Sequence, residues 1–312
     1  MSVINTNVNS LVAQTAVNVN ARSLSKAMEQ LSTGKRINGS KDDAAGLSIS
    51  QIMTAQIRGL NQAVRNANDG ISMLQTADGA MIEQSNMLQR MRELAVQAST
   101  DTVTPDQKDY LNAEFQQLKK EIDRVGTSTQ WNGRDLLNGS GGSGGIAADG
   151  TTTVAASLGT YTFQVGANGA TIAAPSNTNV FSVTIGKATT DAVNANGITG
   201  IYNSIINSKI YDSTAAVSTA EAKDAIVQID TSIKNANEQR GAIGAAINRL
   251  TYAADNLSNI SMNTAASRSR IEDTDYAQAS TELARTQIIQ QAATAMLAQA
   301  NQSPQSVLAL LK

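Results

Sequence analysis

Apolar residues recur at every third or fourth position along much of this chain. The longest stripe runs Ile226, Ile229, Ile233, Ala236, then past Arg240 to Ile243, Ile247, Leu250, Ala254 and Leu257. That spacing keeps one face of an α-helix apolar and predicts a single long helix of coiled-coil character. Only Arg240 breaks it. The first half of the chain answers with Ile57, Leu60, Val64, Ala67, Ile71, Leu74, Asp78, Met81, Ser85, Leu88, Arg92 and Ala95, in which Asp78, Ser85 and Arg92 are polar seam positions. Asp69-Gly70 and Asp78-Gly79 have the composition of hairpin turns, but the stripe passes both without a shift of register, so helix is expected there. A shorter helix carries Leu111, Phe115, Leu118, Ile122 and Val125. Its start is marked by Thr104 as N-cap, Pro105 at the first helical position and Gln107 completing a capping box.

The two ends are patterned like helices yet lack charge. No charged side chain occurs from Met1 to Ala21 or from Thr286 to Leu311, while Ile4, Val8 and Leu11, and Ile289, Ala292 and Met296, supply regularly spaced apolar positions. Thinly amphipathic helices are marginal alone, so these ends are expected to gain order by packing with other copies. Gly34 to Gly46, with Asn38-Gly39 as a turn and Ser40-x-x-Asp43 as a helix start, separates the first helix from the bundle. Ser269-Arg270-Ile271-Glu272 reads as a Ser-x-x-Glu box that does the same on the return.

Between Gly139 and Gly200 the only charges are Asp149, Lys187 and Asp191. A Gly/Ser run opens this segment, and two alternating stretches, Tyr161 to Val165 and Val180 to Ile185, read as strands of a small hairpin. The fold class is therefore mainly α: a long antiparallel helical bundle or coiled coil, with a terminal helix pair and a small β-hairpin region in the central segment. The expected organisation is nested. Residues 1–45 and 268–312 form the terminal pair, 46–138 and 200–267 the bundle, and 139–199 a short β-rich insertion.

Composition narrows the function. Aromatic residues are 3% and charged residues 16% of the 312, which argues for thin interfaces between helices and an elongated chain rather than a thick core. A net charge of −2 without a clustered basic face argues against nucleic acid as a partner. The absence of His and Cys removes the imidazole base, the thiolate nucleophile and the commonest zinc ligands, so no catalytic, cofactor-binding or metal site is expected. The start lacks the basic and continuous apolar regions of a cleavable signal peptide, and no run is long enough to insert in a membrane.

Several stretches together resemble bacterial flagellin. They are Ser40 to Gly46, Arg65 to Ser72, Gln89 to Gln97, Thr129-Gln130-Trp131-Asn132-Gly133, Gln164 to Asn168, Ser267 to Asp273, and the tail Leu297 to Gln302 with Val307 to Leu311. The resemblance implies a non-enzymatic structural subunit of the extracellular flagellar filament, minimal in type because the insertion is short. Its terminal helices would pair in an inner tube and its bundle would form the surrounding outer tube. It also implies export unfolded through the flagellar type III-like apparatus. The implied partners are other copies of the chain, hook-filament junction and cap proteins, a cytoplasmic export chaperone, and the Toll-like receptor for flagellin in animal hosts.

Carried onto this sequence, the resemblance places an axial assembly and receptor-recognition patch at Gln89, Arg90, Leu94 and Glu114. It assigns the tail Val307, Leu308, Leu310 and Leu311 to inner-tube packing and chaperone capture. Asp42, Asp43, Arg268 and Arg270 lie in the connectors, where opposite charges are expected to pair. Thr151, Thr152 and Thr153 are candidate O-glycosylation sites, because some flagellins are so modified. The metallopeptidase motif of some flagellins needs two His, and this chain has none. A hook-filament junction protein and a coiled-coil scaffold are the competing readings.

Overall fold

The computed structural model describes residues 7–139, 159–167, 179–189, 202, 209 and 218–310, with backbone alone at 218–220 and 303–310. Five helices carry the described residues: α1 (Val8–Thr33), α2 (Ala44–Ala98), α3 (Pro105–Ser128), α4 (Ser218–Glu272) and α5 (Tyr276–Leu310). Two antiparallel strand pairs accompany them. One is β1 (Gln130–Trp131) with β2 (Arg134–Asp135), and the other β3 (Gly159–Gln164) with β4 (Val180–Ile185).

The periodic stripes form the helices they predict. α2 passes through Asp69-Gly70 and Asp78-Gly79 without a break. α3 begins where its cap signals place it, with the Thr104 N–H donating to Gln107 Oε1 at 3.1 Å. The strand expected from Tyr161 begins two residues earlier, at Gly159, and pairs so that Phe163 faces Phe181 and Tyr161 faces Val183. Asn132 and Gly133 both take positive φ, 49° and 75°, which is the twist a two-residue turn between β1 and β2 requires.

Both connectors differ from the expectation at their helix starts. α2 begins at Ala44 rather than Ser40, because Asp43 is the cap: its Oδ1 accepts the Gly46 N–H at 2.9 Å. On the return, α4 runs on through Ser269-Arg270-Ile271-Glu272 instead of starting there. The Glu272 carboxylate is taken by Lys35 and Ser50, and the next helix is capped by Asp275, whose Oδ1 accepts the Ala277 N–H at 2.8 Å.

The chain divides into two compact units, Met1–Ile57 with Met262–Lys312, and Arg58–Ser261. In the first, α1 and α5 lie antiparallel. Asn7 Nδ2 donates to Ala300 O, and Asn20 Nδ2 donates to Thr286 O and to Gln290 Oε1. Small residues close the seam, with Ala27 and Ala279 buried.

In the second unit, Leu74, Met81, Leu88, Met91 and Leu94 of α2 meet Phe115 and Ile122 of α3 and Ile229, Ile243 and Leu250 of α4. The β3–β4 hairpin docks on this core. Asn66 Nδ2 donates to Gln164 O, Gln239 Nε2 donates to Thr184 O, and the Arg249 guanidinium sits 4.5 Å from the centre of the Phe181 ring. Gln84 is a buried polar node among these apolar groups. Its amide donates to Ile122 O and Ala188 O, and its Oε1 accepts from the buried Tyr202 hydroxyl. Every donor of that side chain is therefore used, as burial requires.

Candidate functional site

Towards the chain ends the terminal helices present apolar surface, with no charged side chain on α1 before Arg22 or on α5 after Arg285. On α1, Val8, Leu11, Val12 and Val19 are exposed beside the seam, and on α5 Ile288, Ile289 and Met296 are exposed. Leu11, Val12, Val19 and Ile289 share an open groove of about 790 Å³ along the helix pair, which Glu282 and Arg285, paired with each other, also line. Exposed apolar surface of this continuity is characteristic of interaction sites rather than of an ordinary solvated face. A helix surface with no charge also lets copies pack laterally without stranding a buried ion.

The connectors are held by an ion-pair cluster in the same unit. Lys35 pairs backbone to backbone with Asp273, and the Arg36 N–H donates to Glu272 O at 2.7 Å. Lys35 Nζ lies 2.5 Å from Glu272 Oε1, and the Ser50 hydroxyl donates to Glu272 Oε2. The Lys35 ammonium and then the Ser50 hydroxyl hold the Glu272 carboxyl below its ordinary value. Asp42 is likewise lowered: burial pushes it up, but the Asn38 N–H and Lys26 outweigh that.

The four connector charges singled out in the sequence do not pair with one another. Asp42 pairs with Lys26 of α1, Asp43 caps α2, and Arg268 donates to Thr54 Oγ1 at 3.2 Å. The ion pair across the connectors is Lys35 with Glu272 instead. Neither is read from the sequence as a pairing charge: Lys35 follows the Gly34 C-cap of α1, and Glu272, the last residue of α4, reads there as part of a capping box.

On the second unit, Arg90 Nε donates to Glu114 Oε1 at 3.0 Å, and its NH1 donates to Glu93. Both carboxylates, Glu93 first, raise the guanidinium pKa. Gln89 is exposed beside them. Leu94 is not, at 1% exposure: it belongs to the core beneath Arg90. α2 packs against both α3 and α4, so its buried face is wider than one stripe and takes Leu94 with it. Arg92 reaches across to Asp230 at 2.7 Å.

Comparison with known proteins shows the family. The N-terminal helical region of bacterial flagellin matches residues 4–141, and its C-terminal helical region matches residues 226–311. The flagellin of Halalkalibacterium halodurans is 41% identical over 310 residues, covering 99% of this chain and 100% of that relative. The chain belongs to the bacterial flagellin family.

Flagellin B of Vibrio cholerae is 36% identical over 371 residues, covering 99% of each chain. A solved structure of a flagellar hook-associated protein from Vibrio parahaemolyticus superposes with a TM-score of 0.54 over 74% of this chain and 99% of that one. At 14% identity this shows the fold alone. Membership in the flagellin family makes the chain a flagellar filament subunit, a structural protein rather than an enzyme. Among the described residues no helix is long and apolar enough to cross a membrane.

Of the residues singled out from the flagellin resemblance, the structure brings Arg90 and Glu114 together. Val307, Leu308 and Leu310 lie on α5, where only backbone is described. Leu311 and Thr151, Thr152 and Thr153 lie outside the described residues. Asn20 was missed by sequence reading, although a signal existed: it is a lone Asn at helical spacing among Ala13, Val17, Leu24 and Ala27.

Proposed function

We propose that copies of this flagellin associate through the mainly apolar face of the α1–α5 pair to build an inner tube, with Arg58–Ser261 contributing the surrounding layer. The observation that carries this is the exposure of Leu11 and Val12 at 55% and 64% along a mainly apolar groove whose two charged lining residues, Glu282 and Arg285, pair with each other. A head-to-tail contact that does not close generates an open helical polymer, as swimming motility requires.

Leu11→Glu tests it. The residue is exposed, so the folded monomer is expected to be unchanged, while a carboxylate on the face blocks association. Sedimentation and electron microscopy of the purified protein should show uniform filaments for the parent and none for the variant. Parent protein that forms only short closed oligomers would favour a hook-filament junction role, and unaffected filaments from Leu11→Glu would move the interface elsewhere.

The chain leaves the cell unfolded through the flagellar export apparatus, the α5 tail being held by a chaperone until then. Support comes from the same uncharged ends, whose thinly amphipathic helices are marginal alone. The Arg90–Glu114 pair with Gln89 is the surface offered to the next subunit, and in the free monomer to the Toll-like receptor; Leu94 acts by seating it. Arg90→Ala is expected to reduce receptor signalling by the monomer, and unchanged signalling would remove that assignment.

A further inference from the structure

The chain contains no cysteine, so its nine methionines are its only sulfur. The fold sorts those among the described residues. In the Arg58–Ser261 unit Met73, Met81 and Met91 are buried in the core, at 6% exposure or less, and Met87 is half-buried against it. In the unit made by the chain ends Met28, Met262 and Met296 are 50%, 60% and 65% exposed, and Met53 is half-buried. Met296 lies seven residues after Ile289, two helical turns along the same flank of α5, and Ile289 lines the apolar groove. No charged side chain lies between Thr286 and Met296.

We infer that Met296, supported by Met28 and Met262, is an oxidation site through which hydrogen peroxide blocks self-association of the unassembled chain. This rests on the assembly face proposed above. The thioether sulfur attacks one peroxide oxygen, the O–O bond breaks, and that oxygen stays as the sulfoxide. The other oxygen leaves as water after taking the transferred proton. Sulfur loses two electrons and peroxide gains them, so one thioether and one peroxide give one sulfoxide and one water.

The product is a strong hydrogen-bond acceptor in place of a soft apolar group. Buried between subunits without a donor, it carries the desolvation cost of an unsatisfied polar atom. The core methionines lie out of reach, so the bundle keeps its fold while the assembly face is lost. The lesion is reversible, because methionine sulfoxide reductases return the thioether.

The experiment treats full-length monomer with hydrogen peroxide and follows three readouts: sulfoxide by peptide mass spectrometry, thermal unfolding, and filament yield by sedimentation. Sulfoxide is expected first at Met296, Met262 and Met28, with the core methionines unmodified and the unfolding transition of the bundle unchanged. Filament yield should fall about tenfold, the effect of one unsatisfied polar group at each contact, and recover after sulfoxide reductase treatment. A Met28→Leu, Met262→Leu, Met296→Leu variant keeps apolar volume and should assemble equally with and without peroxide. Wild type that assembles normally with Met296 fully oxidised, or that stays blocked after complete reduction, would overturn the proposal. Untreated wild type that fails to assemble would overturn the assembly face and this site with it.

Discussion

Arg240 Nε of α4 donates to Asp78 Oδ1 of α2 at 2.8 Å, so two side chains that each interrupt an apolar stripe answer one another across the helix pair. Both are 32% exposed. A pair this open to water is screened and is worth about 1 kcal/mol at most. Arg240→Ala is expected to lower the unfolding free energy of the bundle by about that amount. The swapped double variant Asp78→Arg, Arg240→Asp should recover most of the loss. A double-mutant cycle by chemical denaturation measures the coupling, and additivity of the two single changes would show that the pair contributes none.

Two glycines of α2 should respond to alanine with different signs. A Cβ on Gly79 meets nothing within 4 Å, so Gly79→Ala is expected to stabilise by about 1 kcal/mol through helix propensity. A Cβ on Gly70 would stand 3.0 Å from Phe163 and 3.3 Å from Leu250, where the hairpin docks. Gly70→Ala should therefore show no gain and should speed amide exchange in β3 and β4. Equal stabilisation by both substitutions, in matched thermal melts, would mean the hairpin does not depend on that close approach.

Gln84→Leu removes the donor to Ile122 O and Ala188 O and leaves the buried Tyr202 hydroxyl without its acceptor. Burial pushes the Tyr202 phenol pKa up, so ionisation offers it no escape. The expected destabilisation is about 1–3 kcal/mol, the cost of stranding buried polar groups. Hydrogen exchange should locate the loosening near Ala188 and the end of α3. Protection there equal to that of the parent would show that packing alone holds these segments.

The Lys35–Glu272 clasp gives the terminal unit a defined response to acid. The Glu272 carboxyl is held below its ordinary 4.5, so its stabilising contribution is complete above that value and is lost as pH falls through the lower, folded one. Order in α1 and α5, followed by exchange of the Arg36 and Thr274 amides, should decline over that acid range. Glu272→Gln should be less protected at neutral pH and flatter below 4.5. An acid response identical in the two proteins would place the titrating group elsewhere, Asp42 with Lys26 being the next candidate.

Much of this architecture could be read from spacing and caps. The three long stripes, the Thr104 cap, the hairpin strands and the uncharged ends are local properties, set by side-chain periodicity and by which backbone groups a neighbouring residue can satisfy. The connectors were harder. Ser40 and Ser269 each stood at the right distance from an acidic residue to begin a helix, yet Asp43 and Asp275 do the capping. Several short polar side chains in a row all satisfy the local rule, and competition from distant partners chooses among them.

By itself the sequence determined that the chain is helical, where its apolar faces run, and that its two ends lack charge. These follow from residue order, because a helix repeats every 3.6 residues whatever it packs against. Only the tertiary structure decided which charge meets which, and that α2 buries Leu94 beneath Arg90 while leaving Glu114 outside to pair with it. Periodicity names an apolar face but not its partner. Asp78 and Arg240 are separated by 162 positions and come together only when antiparallel helices settle into one register.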